Sequence, residues 1–348
     1  MTELRFTELV RRGQLKIAAA AFLVALFYLP VWGMAADSAV ILQYHRFGES
    51  DIPSTNVTLE QFEAHLEYLQ SGGYTVLPVP HIVAALQAGQ PLPDKAVGIT
   101  IDDAITSVIL EAWPRLRAAG FPFTLFVATD AVDQRQARIM SWDDIRTLVD
   151  AGVTIANHSS SHGHLWRESL TTARRDIEGA QARFQAELGF MPRLFAYPYG
   201  EYNLALHELI EELGFEVAFA QNSGVVSKDA DFFAVPRFSL NEVYGDIKRF
   251  RLIINTLPIP VRDLTPANPI LRRNPPHIGF TVDESVEDID EIACYASNQG
   301  AVQLELLGAR RVELRLSEPL QRGRNRINCT LPGPDNRWLW FGMQYLVP

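Results

Sequence analysis

The chain predicts an α/β fold, a parallel sheet flanked by helices and either open or closed into a barrel, followed by a small all-β module. Three observations carry this. Up to about residue 240, short apolar runs alternate with stretches of helical periodicity, the pattern of repeated β–α units. Prolines then cluster at positions 258, 260, 266, 269, 275 and 276. Beyond them hydrophobicity alternates with period two, as in half-buried strands.

The first 36 residues read as a secretory signal peptide. Arg5, Arg11, Arg12 and Lys16 precede the apolar run IAAAAFLVALFYLPVWGMAA, which ends in small residues, so cleavage is expected near Ala35 or Ala36. The competing reading is an uncleaved membrane anchor, since the run is about long enough to span a bilayer. Either way the remainder is exported, periplasmic or secreted. Export gives meaning to Cys294 and Cys329, the two cysteines of the chain, which are expected to form a disulfide.

The barrel or open-sheet region is expected over residues 37–255. Its candidate strands are AVILQY (39–44), VGITI (97–101), FTLFVA (123–128), VTIAN (153–157), RLFAY (193–197), EVAFA (216–220) and FFAVPRF (232–238). Helix signals lie between them. Thr58 with Gln61 makes a capping box before Leu59, Phe62, Leu66 and Leu69, and Gly72-Gly73 ends that helix. Ser141 caps a second helix that closes at Gly152, and Asn203 opens a third that closes at Gly214. Residues 256–276 read as a proline-rich linker. Residues 277–348 read as a sandwich-like β module built from AVQLELL, RRVELRLS, RINCTL and RWLWFGMQYLV.

Composition narrows the function. A formal net charge of −10 argues against a general nucleic-acid binder. No glycine-rich phosphate loop follows the first strand, which counts against a nucleotide-binding α/β fold.

The polar residues then fall into a pattern. His45 follows the first strand, Asp102 and Asp103 end the second, His158 and His162 follow VTIAN, and Pro198 to Tyr202 follow RLFAY. All sit at C-terminal strand ends, which in a parallel α/β fold share one rim where active sites are built. Singly, each has a bland reading: a solvated strand end, loop histidines that cap backbone groups, a histidine packed in the core. Jointly, two histidines and a carboxylate suit a divalent metal with an open position, zinc first, with iron, cobalt or nickel also possible. A cation also explains the paired acids, one binding it and the other left free as a base. Because strand side chains alternate in direction, Asp103 is expected to lie past the last regular residue of its strand. His164 and His207 are assigned structural roles.

The segments TIDDA (100–104), HSSSH (158–162) and FAYPYGEY (195–202) resemble the first three motifs of the polysaccharide deacetylase family, also called the NodB-homology or carbohydrate esterase four family, over roughly residues 38–250. The resemblance implies a distorted seven-stranded (β/α) barrel. It implies metal-dependent removal of N-acetyl, sometimes O-acetyl, groups from an N-acetylated polysaccharide or oligosaccharide. It makes Asp102 the general base and Asp103, His158 and His162 the metal ligands, with a backbone N–H near Tyr199, in the loop opened by Pro198, facing the oxyanion. Three departures stand out. Ala196 replaces an arginine that orients the catalytic Asp, Ala104 replaces a common glycine, and no later Leu-x-His motif supplies an acid. QYHRF is similar to the poly-N-acetylglucosamine deacetylase branch, which makes His45 the candidate acid. Arg237, in VPRF, is the candidate substitute for the missing arginine. The rivals are a non-catalytic carbohydrate-binding barrel, a hydrolase of another amide or ester, and a non-haem iron oxygenase.

Overall fold

The computed structural model describes residues 35–348. The expected signal segment or anchor therefore lies outside the described residues, apart from its last two positions.

Six parallel strands form the main sheet: β1 (Ser38–Tyr44), β2 (Ala96–Asp102), β3 (Thr124–Val127), β4 (Thr154–Asn157), β5 (Leu194–Ala196) and β6 (Val217–Phe219). They lie in the order β6-β5-β4-β3-β2-β1 within a 9-stranded sheet. Every residue of β1 and β2 is buried, which accounts for their continuous apolar runs. The capped helices appear as read: Leu59–Ser71 behind a Thr58–Gln61 capping box, Trp142–Asp150 behind Ser141, and Leu204–Glu212 behind Asn203. They cover the outside of the sheet, as a parallel sheet requires.

Two features of this region depart from expectation. Val225–Ser227 forms β7, antiparallel to the start of β1, where no strand was expected. Conversely, the run 232–238 does not form one strand. Val235 makes an isolated parallel bridge to Phe219, and only Phe238–Ser239 (β8) pairs with Leu42 and Gln43 of β1. Pro236 between them offers no N–H to a ladder, which breaks the strand. The segment still links β6 to β1, so it is a distorted closing stave.

The proline-rich stretch 256–276 contributes two strands rather than none. These are β9 (Leu257–Pro258) and β10 (Val261–Thr265). With β11 (Ile278–Val282), β12 (Ala293–Ala296), β13 (Gly300–Leu307), β14 (Arg311–Arg315), β15 (Gly323–Pro332) and β16 (Trp338–Val347) they make an 8-stranded sheet in the order β9-β16-β15-β12-β13-β14-β11-β10. Prolines fit there because they occupy edge and strand-terminal positions. The sheet curls on itself: Phe280 of β11 meets Phe341 of β16 edge-on at 5.2 Å. It is therefore one curled sheet around a core, not two separate sheets. Cys294 and Cys329 are disulfide-bonded across directly opposed positions of β12 and β15, so the bond staples neighbours within the sheet.

The longest strands, β15 and β16, lie against the barrel. Asn222 Nδ2 donates to the Gly342 carbonyl at 3.0 Å, and Gln344 Nε2 donates to the Gly200 carbonyl at 2.8 Å. A Cβ at Gly342 would collide with the Ser223 carbonyl oxygen, so glycine is required for this close approach. In the run Trp338-Leu339-Trp340, Leu339 packs into the module's core, while Trp340 meets Phe238 of the barrel edge-on at 5.3 Å.

Candidate active site

Asp102 is the last residue of β2 and is fully buried. Its neighbour Asp103 leaves the strand with φ +78°. That turn breaks the alternation, so two adjacent carboxylates face the same rim instead of opposite sides of the sheet. Left-handed backbone recurs around the rim at Ala104 (φ 49°), Ser159 (φ 69°), His162 (φ 54°) and Tyr199 (φ 60°). Non-glycine residues pay for this conformation, and such strain concentrates where side chains must be aimed. Ala104 shows why glycine suits its position.

One ligand atom from each of Asp103, His158 and His162 lies within 4.8 Å of the others. His162 Nε2 is 3.1 Å and His158 Nε2 3.6 Å from Asp103 Oδ1. His158 Nδ1 is 2.7 Å from the Ala196 carbonyl. A carbonyl only accepts, so Nδ1 carries the proton and Nε2 keeps its lone pair toward Asp103. Burial pushes the His158 pKa down to about 4, keeping the ring neutral as a ligand must be. His162 is penalised by burial, yet its bond to Asp103 raises it above its ordinary value. Asp103 is opposed by burial but held well below the carboxylate range by the surrounding histidines. Two imidazoles and one ionised carboxylate converging within this span suit a divalent cation of the zinc class.

Asp102 stands behind this triad. Arg237 donates Nη1 to Oδ1 at 2.8 Å and Nη2 to Oδ2 at 2.9 Å, and Gln43 Nε2 donates to Oδ2 at 2.7 Å. The remaining Arg237 bonds run to the Ala220 carbonyl at 3.0 Å and Thr100 Oγ1 at 3.1 Å. The guanidinium also lies over the adjoining Phe126 and Phe219 rings, 5.3 and 5.8 Å from their centres. Burial alone would raise the Asp102 pKa, but Arg237, His158 and His45 hold it below the usual value. The carboxylate is therefore ionised and fixed in direction. His45 Nε2 lies 3.9 Å from Asp102 Oδ2. The distance suits a bridging group rather than a direct bond.

Pro198 opens a single 3-10 turn, Pro198–Gly200, at the end of β5. This turn sets the Tyr199 ring edge-on against His162, with centroids 4.7 Å apart. His164 stacks on Tyr199 at 4.3 Å and donates Nδ1 to Glu201 at 2.5 Å. Glu201, buried, also accepts from Trp166 Nε1 at 2.8 Å. His207 pairs with Asp231 away from the triad.

The structure thus brings Asp102, Asp103, His158, His162, His45, Arg237 and Tyr199 to one rim. Sequence reasoning missed Gln43, although an amide inside the apolar run AVILQY is a legible signal of a buried polar contact. It also missed Glu201, and Arg324 and Gln344, which arrive from the C-terminal sheet.

Comparison with known proteins bears on the family and the fold. The family profile described as polysaccharide deacetylase matches residues 89–218. This segment is a polysaccharide deacetylase domain. Among relatives, the Bacillus subtilis (strain 168) protein YxkH, itself named provisionally as a polysaccharide deacetylase, is 25% identical over 57% of this chain and 69% of its own. The poly-beta-1,6-N-acetyl-D-glucosamine N-deacetylase of Staphylococcus epidermidis is 22% identical over 58% of this chain and 78% of its own. Among solved structures, IcaB from Ammonifex degensii superposes with a TM-score of 0.57 at 25% identity, covering 63% of this chain and 97% of that one. The match supports the (β/α) barrel; the C-terminal sheet lies beyond the family segment.

Proposed function

We propose that the protein is an exported, metal-dependent hydrolase that removes N-acetyl groups from an N-acetylated polysaccharide. The observation that carries this reading is the Asp103–His158–His162 cluster with the ionised, immobilised Asp102 beside it. A divalent cation on those three ligands, zinc by the donor set, would acidify a water and polarise the acetamide carbonyl. Asp102 takes the proton from that water. Its bidentate pairing keeps it charged at neutral pH, at the cost of some basicity. The Tyr199 backbone N–H faces the developing oxyanion. His45 then protonates the sugar nitrogen, because an amine anion is too poor a leaving group, and acetate and a free amine result. The named activity of the Staphylococcus epidermidis relative supports an N-acetylglucosamine polymer as the substrate class. The non-catalytic rival rests on the missing arginine at Ala196; the bidentate pairing of Arg237 with Asp102 supports the catalytic reading instead.

The test is acetate release from defined β-1,4 and β-1,6 N-acetylglucosamine oligomers with and without a chelator. Release that a chelator stops and a divalent cation restores is expected, with Asp102→Asn reducing it by at least about 100-fold. His45→Ala is expected to lower turnover while leaving metal content unchanged. Undiminished release from Asp102→Asn would overturn the assignment of the base.

A further inference from the structure

The C-terminal sheet does more than cover the barrel. Its strand β15 places Arg324 and Arg326 over Gln221, which follows β6 on the rim. Arg324 Nη1 lies 3.2 Å and Arg326 Nη2 3.5 Å from the same Gln221 oxygen. Arg324 Nη1 also donates to the Tyr199 carbonyl at 3.0 Å, and the Tyr199 ring touches His162. One residue therefore separates this pair from the metal cluster. Arg249 approaches from the barrel side: its guanidinium lies 5.1 Å from the Tyr244 ring, and burial, with a smaller contribution from Arg326, lowers its pKa to about 10.

The charge balance is one-sided. Among the described residues the one carboxylate near Arg324 is Glu201, whose Oε1 lies 3.6 Å from Arg324 Nε while its Oε2 is taken by His164 and Trp166. Among the described residues neither Arg249 nor Arg326 is ion-paired with a carboxylate: Arg249 Nη1 donates to the Tyr244 carbonyl at 2.6 Å and the Ser239 carbonyl at 3.5 Å, and Arg326 reaches the Gln221 oxygen. Arg326 Nε is buried without a hydrogen-bond partner, and so is Oε1 of Gln344, which stands opposite Arg326 on β16. In a chain of net charge −10, leaving Arg249 and Arg326 without a carboxylate partner is costly. The seam does not need them, since Asn222 and Gln344 already fix it through backbone carbonyls. Guanidinium forks match planar anions.

We propose that Arg324, Arg326 and Arg249 form an anion subsite beside the deacetylation site, which binds a carboxylate on the sugar next to the N-acetylated one. Tyr244, 48% exposed, offers that sugar a stacking face. The favoured substrate is then an acidic N-acetylated polysaccharide, not a neutral one. This rests on the deacetylase reading for the reaction, but the subsite is testable by binding alone.

The experiment compares two hexasaccharides, one alternating glucuronate with N-acetylglucosamine and one of N-acetylglucosamine only, by calorimetry and acetate release with the full chain. The wild type is expected to bind the acidic oligomer at least about tenfold more tightly, with the preference shrinking at high salt. Arg326→Gln should reduce the acidic-over-neutral ratio about tenfold, and Arg326→Lys should restore part of it. Equal wild-type affinity for both oligomers, or a ratio unmoved by Arg326→Gln and Arg324→Gln, overturns the subsite. Arginine-dependent binding of the acidic oligomer without acetate release from either would instead leave the subsite standing and sink the deacetylase reading.

Discussion

Two arginine environments lie a few residues apart on the rim and differ in one respect. Arg237, inside the barrel, is fully buried and every bond it makes is answered: a bidentate carboxylate, a hydroxyl, a carbonyl and two aromatic faces. Arg326, at the seam, meets one amide oxygen at 3.5 Å and keeps an unpaired Nε. A buried charge with its partner built in aims a catalytic group. A half-buried charge lacking one leaves electrostatic capacity for something that arrives later. The first belongs to the barrel's own closing segment, and the second is supplied by a different sheet.

The comparison can be broken most forcefully at Arg237. Arg237→Met leaves the buried Asp102 with the Gln43 hydrogen bond and the more distant His45 and His158 rings, and removing one member of a buried ion pair costs about 3–5 kcal/mol. Urea unfolding should show a loss of that size, together with a raised Asp102 pKa. A loss below about 1 kcal/mol would mean that Arg237 is not what offsets the buried carboxylate.

A second test lies in another buried titratable group of the barrel. His65 Nε2 donates to the Gly245 carbonyl at 2.8 Å, so Nδ1 accepts from Tyr44 OH, 3.1 Å away. Burial, aided by Arg249 and opposed by the Gly245 bond and Asp246, lowers its pKa to about 4. The unfolded chain takes up this proton near pH 6.5, the folded chain only near 4. Stability is therefore complete above about pH 6.5 and falls as pH drops toward 4, by about 3 kcal/mol in total from this group. Thermal melts from pH 7 to 4 should show a decline that is smaller in His65→Gln; an identical decline in both proteins would remove His65 from the acid response.

Arg326→Gln gives the counterpart to Arg237→Met. Removing a desolvated charge that lacks a partner should leave stability unchanged or raise it by about 1 kcal/mol. A loss as large as that of Arg237→Met would show that Arg326 is paired after all, and the contrast would collapse. Ala104→Gly should do least. Relief of left-handed strain, about 1 kcal/mol, is offset by losing a buried methyl, about 0.8 kcal/mol, and by added freedom of the unfolded chain. A change beyond about 1 kcal/mol either way would show that the backbone at Asp103-Ala104 is held by more than local preference.

Some of this was open to reading residue by residue. The strand cores, the caps at Thr58, Ser141 and Asn203, and the placement of Asp102, Asp103, His158 and His162 at strand ends all follow from period and position along a few neighbouring residues. The run 232–238 misled because its apolar residues suggest a strand while Pro236 forbids a continuous ladder. The prolines of 256–276 misled in the opposite way, since edge strands tolerate them. His164 was assigned a structural role, but nothing nearby in sequence predicts its partner Glu201, 37 positions on.

By itself the sequence determined where strands end and which polar residues sit at those ends, because side-chain alternation and helix capping act over a few residues. Only the tertiary structure decided that Arg237 reaches Asp102 across 135 positions, and that Arg324 reaches Gln221 across 103. Those contacts depend on how the barrel closes and how the second sheet curls against it. Closure and curl are set by packing summed over the whole chain, which no local stretch of residues encodes.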